Sequence, residues 1–166
     1  MKSVFRTLAH LQEQLGEQCF AELLSSDNTR AVRKFAIKLA LAKLPTEITL
    51  GRRRYEVLSF HKPGEEEYVD SDTMVSRTAE MNASLDAKER RYILKHQADF
   101  PPECRIVSFF FTNDFRLGSA PAWSKERPKQ MCSIGWSYGS DSWLESWQPL
   151  EGRVYDVNCQ VLRPKM

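Results

Sequence analysis

An α+β fold, helices first and a small sheet last, follows from two features of this 166-residue chain. Apolar residues recur at helical spacing in the first quarter and at period two in the last third. Nowhere do strand and helix patterns alternate as a parallel sheet requires. The expected architecture is N-terminal helices, a central hairpin and helix pair, and a C-terminal small antiparallel sheet or partly open barrel. The length suits one domain over 1–166, divisible into sub-modules 1–60 and 61–166.

Residues 3–25 read as helix because Val4, Leu8, Leu11, Leu15, Phe20 and Leu23 share one face. Ser25, Ser26, Asp27 and Asn28 are short polar groups that end this helix and cap the next. That second helix runs from Thr29 to Leu44 and stops at Pro45. Its stripe is Val32, Phe35, Ala36, Leu39 and Ala42. Arg30, Lys34 and Lys38 stand four apart on the opposite face, with Arg33 beside them. A helix-turn-helix could be drawn here, but the first helix lacks a clear partner for it.

Glu47 to Leu50 and Arg54 to Phe60 form a hairpin pattern with Gly51 and Arg52 at the turn. Lys62-Pro63-Gly64 turns the chain again, and Glu65–Glu67 suits a solvated loop. Residues 71–97 return to helix, opened by Asp70, Ser71 or Asp72 and broken at Asn82-Ala83-Ser84. Asp86 with Glu89 three residues on is a capping-box variant that opens the second member of the pair. Phe100-Pro101-Pro102 closes it. Strands are expected at Ile106–Phe111, Met131–Tyr138, Trp143–Gln148 and Arg153–Leu162, with a polar loop from Phe115 to Lys129.

Composition is ordinary for a globular chain, with 42% hydrophobic and 28% charged residues. The N-terminus has no apolar run for a signal peptide, and no run reaches the ~18 apolar residues of a membrane span. A cytoplasmic location is expected. Cys19, Cys104, Cys132 and Cys159 lie far apart, without C-x-x-C or a nearby histidine. That spacing suits small buried side chains and not a metal knuckle, so no metal and no cofactor is expected.

Net charge is +2, but its distribution is uneven. From Asn28 to Arg54 there are eight basic residues and a single acid, Glu47. From His61 to Phe100 acids outnumber bases nine to six. Phosphate binding needs several cations and tolerates loose placement, since counterion release supplies much of the affinity. Arginine adds bidentate geometry. Arg30, Arg33, Lys34, Lys38, Arg52, Arg53 and Arg54 are therefore the candidate nucleic-acid-binding set. The bland reading of the same residues is a solvated helix face and a hairpin tip paired with acids.

All four tryptophans lie in the last third. Trp136 and Tyr138 alternate onto one side, where aromatic residues fill a small sheet core. Trp143, Glu145 and Trp147 also share a side. A face holding an acid beside two tryptophans is less core-like, so these three are the candidate protein-partner site. Of the histidines, His10 suits a helix rim and His96 an apolar edge. His61 beside Glu65–Glu67 could form a histidine–carboxylate pair. No nucleophile motif and no glycine-rich phosphate loop accompanies it, so an enzyme is the less favoured class.

The segment 72–105 resembles a family of uncharacterised bacterial proteins. The shared pieces are Met74, Arg77, Glu80–Ala83, Leu85, His96-Gln97 and Pro101-Pro102, followed by a tryptophan-rich tail like SIGWSYGSDSWLESWQ. The resemblance implies a compact bacterial protein and no activity, substrate or catalytic residue. Two functions remain in view: a non-enzymatic module that grips nucleic acid through the basic set, or an adaptor or inhibitor that docks a protein on the aromatic face. Strong salt dependence would mark the first, and an exposed apolar patch the second.

Overall fold

A computed structural model describes Leu39 and residues 41–62, 68–119 and 127–165. The chain divides into two compact units, Met1–Ala42 and Lys43–Met166. Of the first, Leu39, Leu41 and Ala42 are described, and all are helical. The helix expected over 3–25 and the cations Arg30, Arg33, Lys34 and Lys38 fall outside the described residues. Everything below concerns the second unit.

That unit is dominated by strands, and the expected α+β arrangement is corrected by it. Its framework is one six-stranded mixed sheet in the order β1-β2-β8-β4-β5-β6. The strands are β1 (Glu47–Leu50), β2 (Arg53–Leu58), β4 (Ser108–Leu117), β5 (Lys129–Ser137), β6 (Ser142–Pro149) and β8 (Cys159–Lys165). A separate two-stranded ribbon joins β3 (Tyr68–Asp70) to β7 (Val154–Asp156). Two α-helices occur among the described residues of the unit, α1 (Ser71–Glu80) and α2 (Ala87–Lys95). The hairpin is thus not a separate central element, and the C-terminal sheet is neither small nor purely antiparallel. β2 pairs antiparallel with β8, and β8 pairs parallel with β4, so the last strand fuses the hairpin with the β4–β6 meander. Local periodicity carries no record of that pairing, because it joins residues such as Glu56 and Arg163 that are 107 positions apart.

The strand expected over Arg153–Leu162 is two strands. Asp156 turns the chain between them by accepting a hydrogen bond from Asn158 N at 3.0 Å, which sends β7 to the ribbon and β8 to the sheet. β4 runs on through Leu117 with a bulge between Phe111 and Phe115. The bulge changes which face the following residues occupy, so Phe115 and Arg116 do not continue the alternation of Phe109 to Phe111.

Both helices begin and end as short polar residues dictate. Asp70 caps α1 by accepting from Thr73 N at 2.8 Å. α1 ends in a Schellman arrangement: Asn82 adopts φ 54, its N–H reaches Ala79 O, and Ala83 N–H reaches Thr78 O. This is the physical content of the Asn82-Ala83-Ser84 break. Asp86 caps α2 by accepting from Lys88 N and Glu89 N. The carboxylate of Glu89 does not close the box. It turns to the hairpin instead, to Arg53 and Tyr55.

The sheet is covered on both faces. On one, Met74 of α1 and Val69 and Tyr155 of the ribbon pack over Phe110, Met131 and Val161. Thr78 of α1 also donates to Thr112 Oγ1 at 2.9 Å there. On the other face, α2 and the turns after it cover Tyr55, Phe109 and Trp143, with Phe100 4.3 Å from Trp143 and 5.4 Å from Phe109 between ring centroids.

The hairpin tip is fastened to this second layer. Gly51 N donates to Asp99 at 2.8 Å and Arg52 N to the Tyr92 hydroxyl at 3.0 Å. Gly51 has φ +59, and a Cβ there would lie 2.7 Å from the His96 ring and the Tyr92 hydroxyl. Gly152 has φ +68 but nothing within 4 Å of its added Cβ. Gly152→Ala should therefore cost only the dihedral, about 1 kcal/mol. Gly51→Ala should cost about 1–3 kcal/mol, because the clash adds to the dihedral. Urea midpoints of the two variants test this, and equal losses would refute a packed hairpin tip.

Candidate partner-binding surface on β5 and β6

Of the seven expected nucleic-acid contacts, Arg30, Arg33, Lys34 and Lys38 lie outside the described residues, and Arg52, Arg53 and Arg54 can be placed. All three arginines at the tip are exposed, and Arg53 among them is engaged by α2. Its guanidinium lies 2.7 Å from Glu89 Oε2 and 3.8 Å from the centre of the Tyr92 ring. The neighbouring cations are also spent on acids: Lys165 reaches Glu47 at 2.7 Å, and Arg163 pairs with Glu56. The unit Lys43–Met166 holds 18 of the chain's 24 Lys and Arg and 18 of its 22 Asp and Glu, so it carries no net charge. Net charge therefore adds no general attraction for a polyanion, and any such attraction must come from the local placement of cations.

Trp143, Glu145 and Trp147 do share one face, as alternation along β6 requires. Their register partners on β5 are Trp136, Ile134 and Cys132. The three have different fates. Trp143 is buried, packed on Phe100 and edge-to-face with Trp136 at 5.8 Å. Glu145 forms an ion pair with Arg90 of α2 and accepts from Trp147 Nε1 at 2.7 Å. Trp147 is half-buried, with the Arg116 guanidinium 4.2 Å from its ring centre and that of Arg90 at 5.2 Å.

Arg90 is the hub that sequence reading missed. It also binds Asp114, a buried carboxylate of β4, at 2.5 Å. Burial opposes the Arg90 charge, yet the hydrogen bond and charge of Asp114 and the charge of Glu145 hold its pKa above the ordinary value. The signal for Arg90 was present in principle, on the face of α2 turned by one position from Glu89. The signal for Asp114 was not, since the bulge in β4 decides which way it points.

β6 is also the last strand of the sheet, and no described strand pairs with its outer side. Leu150 N donates to Lys129 O at 3.0 Å. Inward and outward groups alternate along an antiparallel strand, and the β5–β6 register is unbroken from Pro149 back to Ser142. The backbones of Gln148, Ser146, Leu144 and Ser142 therefore face β5. Those of Trp143, Glu145 and Trp147 face outward. Pro149 falls in the outward set, where its missing N–H costs nothing. The three residues singled out for their side chains are also the three that offer N–H and C=O groups to an incoming strand.

Edge strands are normally blunted by short length or by charge. β1, at the opposite edge, has four residues and a tip bound to the turn after α2. β6 has eight residues and one charge, Glu145, which pairs with Arg90. Leu144, on the other face of β6, is 50% exposed. At the start of β6 a cavity of about 220 Å³ is bordered by Phe100, Arg105, Trp136, Asp141, Ser142 and Trp143. The Arg105 guanidinium lies over Trp136, 4.0 Å from its ring centre.

The remaining sequence candidates are accounted for by packing. His61 lies beside the Phe60 ring, and its Nε2 is 2.9 Å from Asp156 O. Glu65–Glu67 lie outside the described residues. His96 stacks near Tyr92 and faces Asp99 at 3.6 Å. Among the described residues no group of His, Cys, Asp and Glu could hold a metal ion, and no helix is long and apolar enough to cross a membrane. Comparison with protein-family models, with curated proteins and with solved structures finds no match.

Cys104 and Cys132 are buried, and burial pushes both thiols up to about 12. Burial, then the charge of Asp156, raises Cys159 as well. Tyr55 is raised by burial and by Glu89. At pH 8 roughly one buried thiol in ten thousand is ionised, so iodoacetamide should leave these three cysteines of the folded protein unlabelled and should label them in urea, by peptide mass. These groups ionise less readily when folded. Their contribution to stability is complete below the ordinary thiol value of 9.0 and falls as pH rises from there toward the raised values. Rapid labelling at pH 8, or a urea midpoint that does not fall between pH 8 and 11, would contradict this burial.

Proposed function

We propose that this protein is a non-enzymatic protein-binding module that receives an extended segment of its partner along β6. The observation that carries the reading is the open edge of β6, where the backbone groups of Trp143, Glu145 and Trp147 lack a strand partner among the described residues. Strand addition of this kind takes affinity from main-chain hydrogen bonds and selectivity from the alternating side chains beside them. The aromatic packing beneath Trp143 and the Arg90 cluster hold the edge rigid, which lowers the entropy lost on docking.

The nucleic-acid reading has less support in the described unit. It rests on Arg52 and Arg54, in a neutral unit whose other arginine at the tip is held by Glu89 and Tyr92.

An array of immobilised octapeptides tests the proposal with two variants at one position. Glu145→Gln keeps the outward N–H, and Glu145→Pro removes it without touching a bond to β5. Peptides bound by the wild type should be kept by the Gln variant and lost, by tenfold or more, with the Pro variant. Amide exchange gives a second readout. The amides of Trp143, Glu145 and Trp147 should exchange quickly in the free protein and slow when peptide is added, while those of Leu144 and Ser146 are slow throughout. Equal retention by both variants, or no bound peptide at all, would remove the edge as the docking site.

A further inference from the structure

We infer that the segment received at β6 is acidic, with two carboxylates four residues apart on one side of the added strand. This rests on the strand-addition reading and specifies its partner.

An added strand places its residues opposite Trp143, Glu145 and Trp147 at positions i, i+2 and i+4, and all three side chains lie on the tryptophan face. Positions i and i+4 are about 13 Å apart, at roughly 3.3 Å per residue. The charges on this face of the sheet near β6 are Arg90, Arg105, Arg116, Asp114, Asp141 and Glu145. Arg90 is shared by Asp114 and Glu145, so this cluster keeps one negative charge, centred opposite position i+2. Among the described residues Arg116 has no ion pair with a carboxylate; it lies on Trp147 and its Nε donates to Gln130 at 3.1 Å. Arg105 likewise has no ion pair among the described residues and lies over Trp136. Stacking on an aromatic ring fixes a guanidinium and leaves its charge and its fork of donors available.

The two arginines therefore lie toward the two ends of β6: Arg116 reaches from β4 to Trp147, and Arg105 lies over Trp136, the β5 neighbour of Trp143. Arg116 is at position i+4, over Trp147. Arg105 is at position i, across the cavity bordered by Ser142 and Trp143. Position i+2 faces Glu145 and favours a neutral residue. The two ends are unequal, because Asp141 also borders the cavity and sits exposed in the β5–β6 turn at φ 48. Its charge weakens the preference at position i, so the larger share of selectivity falls on Arg116. On the opposite face, exposed Leu144 favours an apolar residue at the intervening position.

The probes are labelled peptides of sequence Ser-X-Val-Thr-Val-X-Ser, with X as Glu, Gln or Lys, read by anisotropy at ~50 and ~300 mM salt. A fourth probe is the Glu peptide with N-methyl groups on the amides that would pair. The Glu peptide should bind about tenfold tighter than the Gln peptide at low salt, the Lys peptide should be weakest, and added salt should shrink the differences. Arg116→Glu should reverse the order of the Glu and Lys peptides. Arg105→Glu should narrow it by a smaller factor. Arg54→Glu, on β2 away from this edge, should leave it unchanged. If the Gln peptide equals the Glu peptide and N-methylation abolishes binding of the Glu peptide, strand addition stands and the acidic preference is wrong. If no peptide binds at ~1 mM and the outward amides still exchange quickly, both fail. Slow exchange of those amides in a free protein that proves dimeric would make a second copy the occupant and overturn the inference.

Discussion

The placement of β8 between β2 and β4 is the constraint on which the rest of this unit depends. A strand in the middle of a sheet must satisfy its backbone on both sides. β8 does so by pairing antiparallel with β2 and parallel with β4. Without it the hairpin would be an isolated two-stranded ribbon, which is marginal in water. With it the hairpin and the meander share one sheet, and each face of that sheet becomes wide enough to take a helix. The charged pairs Arg163–Glu56 and Lys165–Glu47 finish the junction where the sheet meets solvent.

Once β8 is in place, the two faces divide the work. One is an apolar layer closed by α1 and the β3–β7 ribbon. The other mixes aromatic rings with charges. There α2 supplies Glu89 to the hairpin and Arg90 to the meander, so two neighbouring residues of one short helix bind opposite halves of the sheet. The same face leads to β6. Its side chains are anchored by this network while its outer backbone is left open. A rigid edge with paired charge is a hazard if it is idle and a docking site if it is used. Arg105 and Arg116, over Trp136 and Trp147, place cations toward the two ends of β6 that the net charge of the unit conceals.

Local chemistry was legible wherever a residue acts on its immediate neighbours. The caps at Asp70 and Asp86, the break after α1 at Asn82, the turn at Gly51 and the strands around Met131–Tyr138 and Trp143–Gln148 are visible in short windows. So is the common face of Trp143, Glu145 and Trp147, because period two is a property of any strand. The run Arg52–Arg54 was legible as charge but not as function. Whether an arginine meets phosphate or Glu89 depends on a helix more than thirty residues further along the chain.

The sequence by itself determined the hairpin, the two helices with their caps, the strands β5 and β6, and the sidedness of β6, since these follow from backbone propensity and side-chain alternation; it did not separate β7 from β8 or mark β3. Tertiary structure alone decided that the sheet is mixed and six-stranded, that Arg53 pairs with Glu89, that Arg90 gathers Asp114 and Glu145, and that β6 is left at the edge. These depend on which strand sits beside which. That choice is made by long-range packing and by satisfying both sides of β8, and no short window of sequence contains either.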